Sequence, residues 1–263
     1  DQDFIDAAKV PIVWVDHHDL VNRDKVKYFN PKQVKKGDTT PVTYLCYKAV
    51  EQDDWIAMVG CIGDWFLPDF FKKFSSENPD LLPKGVTDAE DALFDTDLGR
   101  LSRMLGFVLK GKTSDAMKCV KILTRILDPR EILEQSTPAG KFIYKRFEKV
   151  NQKYEKLLGE ALTQSKKTDK MIVFAYKEAQ ISFTGVLANE LLHRYPNKLV
   201  YVAREKEGEM RGSLRSKNID LTKLIPKALE GVEGYGGGHP NTCGATVKAG
   251  DFTKFVENLK KEV

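Results

Sequence analysis

The run Ile12-Val13-Trp14-Val15 is short, wholly apolar and mostly β-branched. Such a run reads as a strand buried on both faces within a parallel sheet. It is closed by Asp16-His17-His18, at the strand's carboxyl end, where open α/β sheets place their ligands. Neighbouring residues of a regular strand point to opposite faces, so His17 and His18 could meet in one cavity only where the strand breaks. Neutral imidazole nitrogen suits a divalent metal, and an adjacent carboxylate fixes its tautomer. The plainer alternative is a pair of surface histidines in a turn.

Downstream, residues 41–50 read as a helix. Residues 55–63 (WIAMVGCIG) are apolar throughout and fit strand or helix, with Asp64 closing the run. From about 88 to 132 the spacing is helical. Leu98, Leu101, Leu105 and Val108 recur at threes and fours, as do Met117, Val120 and Leu123. A long amphipathic helix over 139–165 carries Ile143, Phe147, Val150, Tyr154, Leu157 and Ala161 on one stripe. The polar tract 165–170 ends it and marks a domain boundary. Beyond it, strands at 171–176, 198–203, 210–214 and 243–247 alternate with helices at 183–195, 221–232 and 252–261. The glycine-rich run 234–238 reads as a loop. This pattern predicts an α/β protein of two unequal domains, 1–135 and 171–263, joined by a helical linker over 136–170.

Composition narrows the class. The 263 residues are 41% hydrophobic and 30% charged, which excludes a disordered polymer. No apolar run approaches the roughly 18 residues of a membrane-spanning helix, so a soluble protein is expected. The four cysteines are scattered, which fits a reducing, cytoplasmic setting and argues against a disulfide framework. A net charge of +4 permits an acidic partner without identifying one. The chain begins Asp1-Gln2-Asp3, with neither initiator Met nor signal-peptide pattern, and so reads as processed or as a fragment.

Several further groupings carry chemistry. Asp64, after an apolar run bracketed by Gly60 and Gly63, is a candidate metal ligand or a simple helix cap. Gly236-Gly237-Gly238-His239-Pro240-Asn241 combines glycines, whose N–H groups can converge on an anion, with the donors His239 and Asn241. The competing reading is a flexible hairpin connection. Arg211, Ser213 and Arg215 occupy alternate positions of a predicted strand and form a row of donors suited to phosphate, or else a solvated edge. The segment 106–113 spells G-x-x-x-x-G-K-T, but a helical stripe precedes it where a phosphate loop needs a strand. It reads as a helix ending at Gly111.

Taken in order, V-D-H-H, G-C-I-G-D, S-L-R-S and G-G-G-H-P-N-T-C-G-A resemble the DHH/DHHA1 phosphoesterase family of RecJ-like exonucleases, nanoRNases and cyclic-dinucleotide phosphodiesterases. The resemblance implies a parallel-sheet DHH domain, a long helical linker and a smaller α/β DHHA1 domain, with a cleft between the two domains. It implies a centre of two Mn2+ or Mg2+ ions with His17 and Asp64 among the ligands, His18 contacting the scissile phosphate and Asp16 orienting the histidines. Gly236, Gly237, Gly238, His239 and Arg215 would hold the substrate's nucleotide end. The implied activity is hydrolysis of single-stranded DNA or RNA, or of short oligonucleotides, from one end. The family's Asp-x-Asp cluster on an N-terminal strand is absent from this sequence, and Asp1, Asp3 and Asp6 lie too close to Asp16 to replace the family's next acid. A non-catalytic nucleic-acid-binding relative and a cyclic-dinucleotide phosphodiesterase are therefore the alternatives.

Overall fold

A computed structural model describes residues 2–164, 169–177 and 180–263. Asp1 and the boundary residues Ser165 to Thr168 lie outside the described residues. The described chain folds as two compact units, residues 1–106 with 124–141, and residues 107–123 with 142–263.

The first unit opens with α1 (Gln2–Ala7), β1 (Ile12–Val15) and β2 (Val26–Phe29), followed by α2 (Val42–Val50), α3 (Asp54–Gly63), α4 (Phe71–Glu77) and α5 (Ala89–Phe94). Helix α6 (Asp97–Val108) reaches the boundary of this unit, and α7 (Thr113–Leu123) belongs to the second. The chain then returns through α8 (Arg130–Leu133), and α9 (Pro138–Gln164) leads out of the first unit into the second.

Strands β1 and β2 pair in parallel, Ile12 with Val26 and Val15 with Phe29. The parallel strand expected at 12–15 is present, but it is not buried on both faces. Val13 is 61% exposed and Phe29 57%, because this sheet has two strands and nothing described covers that face. The ambiguous segment 55–63 lies within helix α3. Trp55, Ala57, Met58, Val59, Cys61 and Ile62 are all buried, so the helix is covered nearly all round and its sequence shows no polar stripe. Gly60 and Gly63 bring α3 close to its neighbours: a Cβ at Gly60 would sit 2.5 Å from Thr43, and one at Gly63 3.2 Å from Ser102.

The second unit continues with β3 (Met171–Lys177), α10 (Thr184–Arg194), β4 (Leu199–Lys206), β5 (Glu209–Arg215), α11 (Leu221–Ala228), β6 (Gly234–His239), β7 (Thr242–Lys248) and α12 (Phe252–Lys261). Its five-stranded sheet has the order β3-β4-β5-β7-β6, with β3 and β4 parallel and the remaining pairs antiparallel. Helices α11 and α12 cover one face through Leu221, Leu224, Ile225, Phe255 and Leu259, packed on Tyr201, Leu214 and Val247. Helix α10 packs against β4 and β5, with Leu187, Ala188 and Leu191 fully buried. An aromatic cluster closes this unit at another point. Phe107 lies 5.7 Å from Phe183, 5.1 Å from Tyr154 and 6.0 Å from Phe147 between ring centroids. Burying Phe107 alone is worth about 1.5–3 kcal/mol.

Two expectations are corrected here. The glycine run 234–238 is not a loop: it forms strand β6, paired with β7 from Gly234–Val247 to His239–Thr242. Backbone hydrogen bonds decide this, since glycines carry no side chains to display a strand period. The helix before the G-x-x-x-x-G-K-T segment ends at Val108, with Gly111 beyond it at φ +100°. Among the described residues, no helix is long and apolar enough to cross a membrane.

Candidate functional site

The strand-end motif forms a tight turn organised by Asp16. The N–H of Asp16 still donates to Phe29 O at 2.9 Å, so the ladder ends at this residue. Its Oδ1 then accepts from His17 N at 2.8 Å and His18 N at 3.1 Å, and meets His18 Nδ1 at 2.8 Å. Burial would raise the Asp16 carboxyl, but the hydrogen bonds from His18 and His17 outweigh it and hold it below its ordinary value. The two imidazoles stand edge to face, 4.6 Å between centroids. The second strand secures the turn: Asn30 Nδ2 donates to His18 O at 3.0 Å and to the Tyr28 hydroxyl at 2.9 Å. Neither Tyr28 nor Asn30 stood out in the sequence, because V-K-Y-F is too short to show a period.

These residues fit a two-metal centre poorly. His17 Nδ1 is buried without a hydrogen-bond partner, which leaves one nitrogen suited to a ligand role. Asp16 Oδ1, by contrast, is already shared among three donors. Asp64 does not lie at a strand end. It follows helix α3, exposed, with its N–H turned back to Gly60 O and Cys61 O. Asp6 in α1 pairs with Lys25 at 2.8 Å. Among the described residues, no three His, Cys, Asp or Glu side chains gather closely enough to hold an ion.

The better-formed site lies in the second unit. Pairing across β5, β7 and β6 aligns residues in rows on one face: Arg211 with Thr246 and Tyr235, Ser213 with Gly244 and Gly237, Arg215 with Thr242 and His239. The middle row has a serine at one end and two glycines beyond it. A Cβ at Gly237 would meet nothing within 4 Å, whereas one at Gly236, its neighbour on the other face, would lie 2.8 Å from Gly244 O and 2.9 Å from Ile225 Cγ2. The absent side chains open a cavity of about 350 Å³, floored by Gly237 and Gly244 and walled by Arg211, Tyr235, Ser182 and Thr184.

The wall at Ser182 and Thr184 is the start of α10. Ser182 Oγ and Thr184 Oγ1 are 3.3 Å apart, and the Ser213 hydroxyl donates to Thr184 Oγ1 at 3.1 Å. The first turn of α10 lies over β5: a Cβ at Gly185 would make ordinary contacts of 3.5 Å with Arg215 Nη2 and 3.8 Å with Ser213 Oγ. Hydroxyls and the leading N–H groups of a helix, with the positive end of its dipole, favour an anion.

Of the residues singled out in the sequence, Arg211, Gly236 and Gly237 line this cavity. Arg211 also donates to Glu209 Oε2 at 2.9 Å, so part of its charge is spent within its own strand. Ser213 and Arg215 stand behind the cavity. Arg215 Nε donates to Asn189 Oδ1 at 2.6 Å, and burial draws its pKa below the ordinary value while the Cys243 thiol opposes the shift. Gly238, at φ +148°, His239 and Asn241 occupy the hairpin end, where Asn241 O accepts from Ser216 N at 3.2 Å. Ser182 and Thr184 escaped notice because they join β5 only through the tertiary fold.

Residues 168–263 match the family model of the DHHA1 domain. No curated protein sequence matches the chain. Among solved structures, RecJ from Thermus thermophilus in complex with Mn2+ aligns over 96% of this chain and 41% of its own, at 17% identity and a TM-score of 0.60. A DHH domain described as belonging to a family of ribosomal proteins aligns over 99% of this chain and 65% of its own, at 18% identity and a TM-score of 0.54. A Vibrio pGpG-specific phosphodiesterase, PggH, aligns over 100% of this chain and 87% of its own, at 14% identity and a TM-score of 0.52. The chain thus spans about two fifths of the length of the Thermus RecJ structures.

Proposed function

We propose that the chain, with a DHHA1 match over residues 168–263 and a fold similar to that of RecJ, is a member of the DHH/DHHA1 phosphoesterase family that grips one end of a single-stranded nucleic acid or short oligonucleotide for phosphodiester hydrolysis from that end. The observation that carries this reading is the glycine-floored cavity. A phosphate oxygen can approach β6 and β7 without meeting a Cβ, while the Ser182 and Thr184 hydroxyls and the start of α10 offer donors. Tyr235, 70% exposed at the rim, presents a ring on which a base can stack. In the first unit, Asp16 fixes the His18 imidazole for contact with a phosphate oxygen.

Mn2+ or Mg2+ is the cofactor that belongs to this reading, but the described residues do not assemble its site. That dispersal favours a second reading, a nucleic-acid-binding relative that does not hydrolyse its ligand. The buried thiols Cys61, Cys119 and Cys243, all unpaired, accord with a reducing, cytoplasmic location.

The test is hydrolysis of labelled short and long single strands, beside a cyclic dinucleotide, with and without Mn2+. End-directed shortening of the linear strands supports the first reading. Binding without cleavage supports the second. Cleavage of the cyclic substrate alone overturns both.

A further inference from the structure

Lys110 comes from the segment between α6 and α7, far in sequence from the DHHA1 domain, yet within the same compact unit. Its position is set by Phe107, one helical turn earlier, whose ring packs 5.7 Å from that of Phe183. Lys110 Nζ then donates to Ser182 O at 3.1 Å and stands 5.9 Å from the Phe183 ring centroid. The Arg146 guanidinium donates to Lys110 O at 2.8 Å and secures the backbone there. Ser182 is a wall of the glycine-floored cavity, so the ammonium is fixed behind the donors that face it.

No described carboxylate pairs with this ammonium, in contrast to Arg146, which has Asp115 at 3.6 Å. A cation drawn partly out of water without a counter-charge is unfavourable, and burial does lower the Lys110 pKa. An anion arriving in the cavity would supply the missing charge.

We infer that Lys110 is a substrate-binding residue whose ammonium neutralises a phosphate of the strand held in the cavity. The inference rests on the function proposed above and deepens it. The helical segment, and not the DHHA1 domain alone, then supplies charge to the grip. The lysine used is not the one that a phosphate loop would employ in G-x-x-x-x-G-K-T, which is Lys112.

The experiment measures binding of a fluorescent short single strand to the full chain by anisotropy, over a range of salt concentrations. The proteins are wild type, Lys110→Met, Lys110→Arg and Gly237→Val, with thermal melting as a check on folding. Lys110→Met is expected to weaken binding roughly tenfold. It should also reduce the slope of log K against log salt by about 0.7, the value for one phosphate contact on a single strand. Lys110→Arg should restore both. If Gly237→Val abolishes binding while Lys110→Met leaves affinity and slope at wild-type values, the cavity stands and the role of Lys110 is wrong. A lowered melting temperature with an unchanged salt slope assigns Lys110 to structure alone and overturns the inference. If wild type does not bind the strand, the proposed function fails and this inference with it.

Discussion

The Ser213 hydroxyl donates to Thr184 Oγ1 across 3.1 Å, tying the middle of β5 to the first residue of α10. The link runs from behind the glycine-floored cavity to its Thr184 wall, between residues 29 positions apart in the chain. Ser213→Ala removes one donor and leaves Thr184 able to bond elsewhere. Melting should hardly change, while affinity for a phosphorylated single strand should fall roughly fivefold, about 1 kcal/mol. Titration of the two proteins in parallel checks this. Unchanged affinity would remove Ser213 from the site.

Gly236 and Gly237 are adjacent and should respond oppositely. A side chain at Gly237 enters open space, so Gly237→Val should fold normally and lose ligand binding by at least about tenfold. A Cβ at Gly236 collides with Gly244 O and Ile225, so Gly236→Ala should cost about 1–3 kcal/mol of stability. Denaturant midpoints and binding isotherms of both variants separate the cases. Equal destabilisation would contradict the assignment of faces in β6.

In the first unit, Arg130 grips Asp80 with two bonds, Nε to Oδ2 at 2.8 Å and Nη2 to Oδ1 at 2.7 Å. That hydrogen-bonding, opposed by slight burial, holds the Asp80 carboxyl below its ordinary value. A depressed carboxylate stabilises the fold above its unfolded pKa, and the contribution disappears as pH falls through the folded value. Asp80→Asn should therefore lower the melting temperature at neutral pH, with the gap to wild type closing below about pH 4. The carboxylate is half exposed, so the effect should not exceed about 1 kcal/mol. A gap that persists unchanged into acid would contradict this pairing.

Thiol chemistry reports on packing. Cys46 is exposed, whereas burial, reinforced by Asp64, pushes Cys61 up to about 12, and burial also raises Cys119 and Cys243. Alkylation at neutral pH followed by peptide mapping should label Cys46 first, since the thiolate is the reactive form. Equal labelling of Cys243 would mean that β7 is not packed as described.

Much of this architecture is legible in the sequence wherever side chains repeat with a period. The stripe from Ile143 to Ala161 identifies α9, and Arg211, Ser213 and Arg215 do share a face of β5. Legibility fails where the period is hidden. Helix α3 is apolar on every side, and β6 is nearly all glycine, so its strand character comes from pairing with β7. The cavity illustrates the same limit. Its floor is visible in the sequence as glycines, but Ser182 and Thr184 reach it, and Lys110 reaches the Ser182 backbone, only through tertiary packing. Asp64 follows an apolar run as a sheet-edge acid would, yet that run is a helix.

The proposed function requires that the DHHA1 cavity hold the end of a strand and not its middle. The most direct measurement compares the dissociation constants of a short single strand and of the same sequence closed into a covalent circle, for wild type and Gly237→Val. The linear strand should bind wild type about tenfold more tightly than the circle, and Gly237→Val should erase that preference. Equal affinity of wild type for the line and the circle would contradict it.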